Sequence, residues 1–479
     1  MPRFQKVSLY IAGITLLFVI KGVFLAIIVP IFQNPDEQIH YGTVQHMSEP
    51  EENFLAIKTQ NESLTLGSDI STYGLSEEVI KIAQVNQFDE VKFAQENIQH
   101  FPGIPETEVV ENHWKRYIDT TLNSTSGTKS IYYLIASWLE QTLSNQTILT
   151  RIFLARMLAT LFGVGTVILA YLTARKIGFS EYIALLLTVL VAFQPMLSIT
   201  AAQINIDIAL IFSFSLFLYA GISLMKDTHW KYVLLVIFSA VLGLFSKGPG
   251  IVLAVLIYPL FVWCAYQKFR ISKERFATLL AIATLFLVTT IFLIVPRSYL
   301  LNITNLTAHS KFTSPLESIG KYIDKTLTIG ELRDTAISYW GQFGWLDSSI
   351  PDWSLTLVII LTFSGFIGTL WFLFSQRKAP YLPERKYLIF SLGMIIALQV
   401  AIRFYDWRVF DYTGQILIGQ PGRYFLPNII AHLLIVTTGI GFLLRQETRF
   451  VLAIKILALA MILLQLNAIV NVIIPRYYL

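Results

Sequence analysis

This sequence predicts an all-α polytopic membrane protein, and three observations predict it. Of its 479 residues 54 % are hydrophobic and only 14 % charged, where a soluble globular chain carries about a quarter charged. The mean hydropathy is +0.60. Apolar runs long enough to cross the roughly 30 Å hydrocarbon core recur from end to end, and in lipid such a run satisfies its own backbone best as a helix.

The first run follows Arg3 and Lys6, has no small-residue cleavage site behind it, and reads as a signal anchor. Further spans are expected near 149–174, 181–202, 205–225, 231–246, 249–267, 276–296, 353–374, 387–403, 424–444 and 451–474, about eleven in all. Two connections are large, 31–148 and 297–352. The first has a helical pattern over 76–99 and reads as a cap on the membrane. It ends in an apolar, aromatic stretch, 130–145, too short to span and suited to lying in the interface. No internal repeat appears, so 1–479 reads as a single transmembrane domain.

Lysine and arginine concentrate in alternate short loops: Arg175 and Lys176; Lys226 and Lys231; Lys268, Arg270, Lys273 and Arg275; Arg377, Lys378, Arg385 and Lys386; Arg445 and Arg449. The positive-inside rule then puts the N-terminus in the cytoplasm and residues 31–148 and 475–479 outside. Segment 31–148 agrees, with 17 Asp or Glu against 6 Lys or Arg. The net charge of +5 thus reflects topology, and no nucleic-acid partner is implied. A single cysteine, Cys264, offers neither a disulfide framework nor a thiolate metal site.

Chemistry concentrates just after the first span, in Asn34-Pro-Asp-Glu-Gln-Ile-His-Tyr41. Asp36 or Glu37 can serve as a general base at the membrane surface. Asn34, Pro35 and Glu37 equally fit the N-cap, N1 and N3 positions of a helix. On that helix His40 would share a face with both carboxylates, and Asp36, Glu37 and His40 are residue types that hold a divalent metal. No other cofactor is indicated.

Cations at the outer ends of spans run against the topology rule: Arg151, Arg156, Lys247, Arg297, Arg403, Arg408 and Arg423, the last beside Tyr424. Each alone can snorkel to headgroups. Together they suit a lipid phosphate, arginine by forked hydrogen bonds and lysine as a point charge. Asp207, at the outer start of the fourth span, would line the site or pair with a neighbouring cation. Lys21 lies well inside the first span and has no assigned role. The aromatics of Trp340-Gly-Gln-Phe-Gly-Trp-Leu-Asp347 suit an interfacial belt or a platform for a sugar or prenyl chain.

One span, a long outer loop opened by an acidic pair, a Tyr132-Tyr133 interfacial helix and many short-looped spans together resemble the GT-C superfamily of membrane glycosyltransferases. Arg151-Ile-Phe-Leu-Ala-Arg156 is similar to its protein-mannosyltransferase-like members. Pro35-Asp-Glu-Gln-Ile-His40, Trp340-Gly-Gln-Phe-Gly-Trp345 and Gly422-Arg-Tyr-Phe-Leu-Pro427 resemble a bacterial branch with P-D-E-x-x-H and Q-G-R-Y signatures. Lys129-Ser130 stands where a double proline is often seen, and Pro421 interrupts the Gln-Gly-Arg.

The resemblance implies transfer of a sugar from a polyprenyl-phosphate donor to a cell-surface glycan or lipid-linked acceptor at the outer face of the cell membrane, with inversion. Asp36 would be the base, Glu37 its partner, and His40, Arg151, Asp207, Lys247, Arg297, Arg423 and Tyr424 would bind substrate and phosphate. A flippase for lipid-linked sugars and a polysaccharide polymerase or ligase are the competing readings. The missing repeat weighs against the first.

Overall fold

A computed structural model describes residues 3–48, 130–269, 310–416 and 421–479, the short strands 55–57 and 115–117, and isolated positions between 75 and 91 and at 278 and 419. Among them eight helices are long and apolar enough to cross a membrane. The chain is an all-α polytopic membrane protein. The first span is α1 (Arg3–Ile28), followed by α2 (Glu37–Ser48), α3 (Ile131–Thr142), α4 (Ile148–Lys176), α5 (Glu181–Ala192) and α6 (Pro195–Thr200). Then come α7 (Asp207–Lys226), α8 (Trp230–Leu244), α9 (Ile251–Phe269), α10 (Pro315–Thr326) and α11 (Ile329–Trp340). The last group is α12 (Asp352–Phe374), α13 (Arg385–Thr413), α14 (Ile429–Leu444), α15 (Glu447–Ala468) and α16 (Ile474–Tyr478). A 3-10 turn, Gly422–Asn428, leads into α14, and a π-helical segment, Ile469–Ile473, joins α15 to α16. Two short strand pairs occur among the described residues, Leu55–Ile57 with Lys115–Tyr117, parallel, and Gln342–Phe343 with Ser348–Ser349, antiparallel.

Each expected span has a helix at its place except 276–296, which apart from 278 lies outside the described residues, as does most of 76–99. The expected span 181–202 is broken into α5 and α6. Pro195 cannot continue a helix but fits the first position of a new one, and Gln194 Oε1 caps α6 by accepting from Leu197 N. Lys21 secures the break. Its ammonium donates to Ser198 Oγ at 2.7 Å and to the carbonyl of Ala192, the last residue of α5, between the rings of Phe18 and Phe193. A cation against a helix C-terminal carbonyl is the favourable polarity.

The helix ends sort by charge. At one end of the bundle the basic loops converge: Lys226 Nζ donates to Lys176 O at 3.1 Å, and Arg377 Nη2 to Arg445 O at 2.9 Å. At the other, Tyr478 of α16 donates to Ile28 O at the close of α1 (2.8 Å), and α3 hangs from α8 by Ile131 N to Phe245 O (2.5 Å). Short α3 buries Tyr132, Tyr133 and Glu140 and exposes Leu134 and Trp138.

Helices α7 and α14 bury most of their apolar stretch within the protein, whereas α1 and α12 expose most of theirs. Membrane helices gain little from apolar burial against one another, so close backbone approach matters more. The pair α12 and α14 shows it: Gly365 and Gly368 face Val436 and Gly439, and a Cβ on Gly439 would stand 1.7 Å from Gly365 O. Gly439→Ala should therefore force these helices apart at a cost of about 1–3 kcal/mol. We expect a lower melting temperature by size-exclusion analysis of heated, detergent-solubilised protein, whereas Gly393→Ala, with open space around it, should change nothing.

Candidate active site

The site is built at the corner after α1, where the chain turns back toward the bundle. Its centre is a buried ion pair. Arg156 of α4 donates Nε to Glu37 Oε1 (2.8 Å) and Nη2 to Glu37 Oε2 (2.7 Å). Its remaining N–H groups reach Ala26 O and Val29 O (both 2.7 Å) and Pro30 O (3.1 Å). Five guanidinium donors thus meet five acceptors. Glu37 is equally complete, accepting also from Phe32 N (3.2 Å) and Ile204 N (3.1 Å). Their side chains are 2 % and 0 % exposed.

This arrangement corrects the expected capping. The helix begins at Glu37 rather than at Pro35, and the carboxylate reaches Phe32 N and Arg156 instead of the amide of Asn34. Asp36 takes the N-cap position, its carbonyl accepting from Ile39 N (3.0 Å) and His40 N (2.9 Å). Two non-glycine residues of the corner sit in the left-handed region, Phe32 at φ 63° and Asp36 at φ 65°. Such conformations cost about 1–3 kcal/mol each and persist where the surroundings over-determine them. A left-handed Asp36 also breaks the helical phase, so Asp36 and Glu37 point apart. Glu37 is therefore an anchor, its lone pairs spent on the corner, and is not available as a catalytic partner. The expected metal set of Asp36, Glu37 and His40 does not assemble, and among the described residues no group of three or more His, Cys, Asp or Glu is placed to hold a metal.

Asp36 faces a cluster drawn from five other places in the chain. Arg423 Nη2, on the 3-10 turn before α14, lies 3.6 Å from Asp36 Oδ2, whose side chain is 49 % exposed. Lys247, following α8, pairs with Asp207 Oδ1 at the start of α7 (2.6 Å). Lys247 Nζ and the Arg423 guanidinium lie 4.7 and 5.4 Å from the centroid of the same Tyr424 ring, which ties the two cations together. Arg423 Nε is buried without a hydrogen-bond partner. His40 completes the set, its Nδ1 2.5 Å from the hydroxyl of Tyr133 on α3. Burial lowers the His40 pKa to about 4, with the Asp36 and Asp207 charges opposing and the Lys247 and Arg423 charges assisting, so His40 is neutral at pH 7. The same burial pushes the Tyr133 hydroxyl up, so Tyr133 stays protonated.

Gly422 lets Arg423 come this close. Its amide donates to Ser338 Oγ (2.5 Å), and a Cβ there would stand 2.1 Å from Thr335 O. Of the residues expected from sequence, Asp36, His40, Asp207, Lys247, Arg423 and Tyr424 come together. Arg151 does not. It lies behind α2, pairing with Glu78 and Glu140, while Tyr41 donates to both Glu140 oxygens (3.0 and 3.1 Å) and Gln45 to Glu78 (3.1 Å). That network clamps the buried face of α2, so Arg151 is structural and is not a phosphate ligand. Arg297 lies outside the described residues.

The aromatic segment 340–347 is a buttress rather than a platform: Trp345 Nε1 donates to Phe32 O (3.2 Å), and Asp347 pairs with Arg476 at 2.5 Å. Tyr477 OH donates to Gln33 O (3.1 Å). Tyr133 is the site residue that charge patterning missed; its only sequence signal was the Tyr132-Tyr133 pair before the second span.

A family model described as a predicted membrane protein, DUF2142, matches residues 18–434. The chain belongs to the DUF2142 family. No curated protein matches it. The stretch shared with DUF2142 contains the corner, all six residues of the cluster and Tyr133, and stops within α14.

Two outcomes follow from this geometry. Arg156→Lys and Glu37→Gln should each cost about 3–5 kcal/mol, because each leaves a buried group uncompensated. The loss should appear as depleted folded protein, while Asp36→Asn leaves yield and melting temperature unchanged. His40 supplies a pH dependence. Its folded pKa lies below the unfolded 6.5, so the unfolded chain binds more protons between about pH 4 and 6.5. Stability should rise with pH across that window and level off above it, and melting curves of His40→Gln should lack that part of the slope.

Proposed function

We propose that this DUF2142 chain is a membrane glycosyltransferase, moving a sugar from a polyprenyl-phosphate donor to a hydroxyl of a cell-surface glycan or lipid-linked acceptor. The observation that carries the reading is a half-exposed carboxylate, Asp36, facing a lysine and an arginine that share one tyrosine ring. The acceptor oxygen attacks the anomeric carbon, Asp36 takes its proton, and the bond from that carbon to the phosphate oxygen breaks. One displacement inverts the anomeric centre. The departing polyprenyl phosphate gains charge, which Lys247 and Arg423 stabilise.

Each of the two cations holds a carboxylate. An arriving donor phosphate competes with Asp36 for Arg423, and a carboxylate released from a cation is the better base. Asp207 keeps Lys247 aimed at the same spot. With the basic loops in the cytoplasm, the cluster belongs to the extracytoplasmic side of the cell membrane. The broken span α5–α6 is the feature that favours a flippase, since transporters use discontinuous helices. Here, however, Lys21 and Gln194 lock the break.

Purified protein with radiolabelled polyprenyl-phosphate sugar separates the readings. Time-dependent loss of sugar from the lipid is expected for a transferase, and intact donor crossing the bilayer would instead identify a flippase. Asp36→Asn should lower transfer by ~10²- to 10⁴-fold, and Arg423→Gln or Lys247→Met by roughly 10²- to 10³-fold, with protein yield unchanged. Full activity in Asp36→Asn would remove the base assignment.

A further inference from the structure

At the basic-loop end of the bundle, the last turns of α12 and α14 leave a cavity of about 360 Å³ beside them. Trp371, Ser375, Arg377, Phe442, Leu443 and Arg445 line it. Trp371 lies one turn before the end of α12 and is 55 % exposed, and Leu443 is exposed as well, so the cavity has a rim open to lipid. That is headgroup depth, where tryptophan collects.

Helix C-termini end in unpaired carbonyls that disfavour an anion, and here those carbonyls are already covered. Arg377 Nη2 donates to Arg445 O (2.9 Å) and Nη1 to Phe442 O (3.4 Å), its guanidinium 5.2 Å from the centroid of the Phe442 ring, and Arg385 donates to Ser375 O. Arg377 is thereby fixed with N–H groups to spare. Ser375 Oγ accepts from Arg377 N (3.1 Å), which leaves its own O–H to donate. Arg445 is exposed and holds left-handed backbone at φ 64° where α14 ends. Glycine takes that position without strain, whereas a β-carbon resists it. An arginine kept there points to a use for its side chain. The two segments that meet at the cavity, 375–386 and 445–449, carry six Lys or Arg against two Glu.

We propose that this cavity binds the phosphate of an anionic glycerophospholipid from the leaflet at the basic-loop end. Arg445 and Arg377 take phosphate oxygens by charge-assisted hydrogen bonds, Ser375 adds a third donor, and the acyl chains run past Trp371 and Leu443 into the bilayer. Those two exposed apolar side chains on the rim favour a lipid over a soluble phosphate. Arg423 and Arg445 stand at opposite ends of the span Gly422–Leu444, so this lipid is separate from the Asp36 cluster, and the site stands whether or not the chain transfers sugars.

The test is native mass spectrometry of the full chain with added phosphatidylglycerol or phosphatidylcholine, beside melting temperatures in nanodiscs of the same lipids. Phosphatidylglycerol should bind roughly tenfold more tightly and raise the melting temperature. Arg445→Gln should abolish that preference. Lys378→Gln, at an exposed cation of the same segment outside the lining, should keep it, which separates a built site from the general attraction of anionic lipid to basic loops. Arg445→Gly is the sharpest variant. Relieved of left-handed strain, it should melt at or above the native temperature in phosphatidylcholine yet gain nothing from phosphatidylglycerol, so misfolding cannot account for the lost binding. Equal binding of the two lipids by the native chain, or an unchanged preference in Arg445→Gly, would overturn the proposal. So would displacement of the lipid by glycerol 3-phosphate, which would make the ligand a soluble phosphate.

Discussion

Everything at the corner after α1 depends on the Arg156–Glu37 pair. A buried ion pair contributes little when its groups are half satisfied. Here five N–H donors and two carboxylate oxygens all have partners, so desolvation is met by hydrogen bonds as well as charge. The pair gathers the last carbonyls of α1, the first residue of α2 and the backbone at Ile204 into one knot. It is what holds Phe32 and Asp36 in left-handed backbone. Removing it would not only cost stability but also free Asp36 to turn with the helix, away from Arg423.

Other contacts brace that knot from behind and above. Arg151, Glu78, Glu140, Tyr41 and Gln45 clamp the inner face of α2, while Trp345 and Tyr477 hold the carbonyls of Phe32 and Gln33. The result is a short helix whose open face carries Asp36 and His40 and whose other faces are occupied. Near a membrane, unpaired charge is expensive, and the site meets that constraint by pairing Lys247 with Asp207 and Arg423 with Asp36. A bound anion would exchange with carboxylates rather than neutralise bare cations, so under the proposed function its arrival would release Asp36.

Much of this was legible in the sequence because membranes impose simple rules. Run length placed eight helices that can cross a membrane and two shorter apolar ones among the described residues, and the loop charges separated the two ends of the bundle. Lys247 and Arg423 were found because cations there run against the loop-charge rule, Asp207 because an ionisable group at a span end needs a partner, and Asp36 because an acidic pair follows the first span. What the residues could not say was which charges answer each other. Arg151 and Arg156 lie five apart on one helix and looked equivalent; one clamps the back of α2 and the other holds the corner. Glu37 looked like the twin of Asp36, yet a single left-handed residue sends the two carboxylates in opposite directions. The Tyr133 contact to His40 spans 93 residues and leaves no local pattern. The break at Pro195 was passed over, 181–202 being expected as one span although proline cannot continue a helix, and its anchoring by Lys21 to Ala192, 171 residues away, leaves no local pattern.

The central claim is that Lys247 and Arg423 receive a lipid phosphate beside Asp36. An electron cryo-microscopy structure of the full chain in a nanodisc with polyprenyl phosphate tests it most directly. The account predicts phosphate density within hydrogen-bond distance of Lys247 Nζ and the Arg423 guanidinium, with Asp36 released from Arg423. Polyprenyl phosphate held only at the basic-loop end, or a cluster left unchanged at saturating lipid, would contradict it.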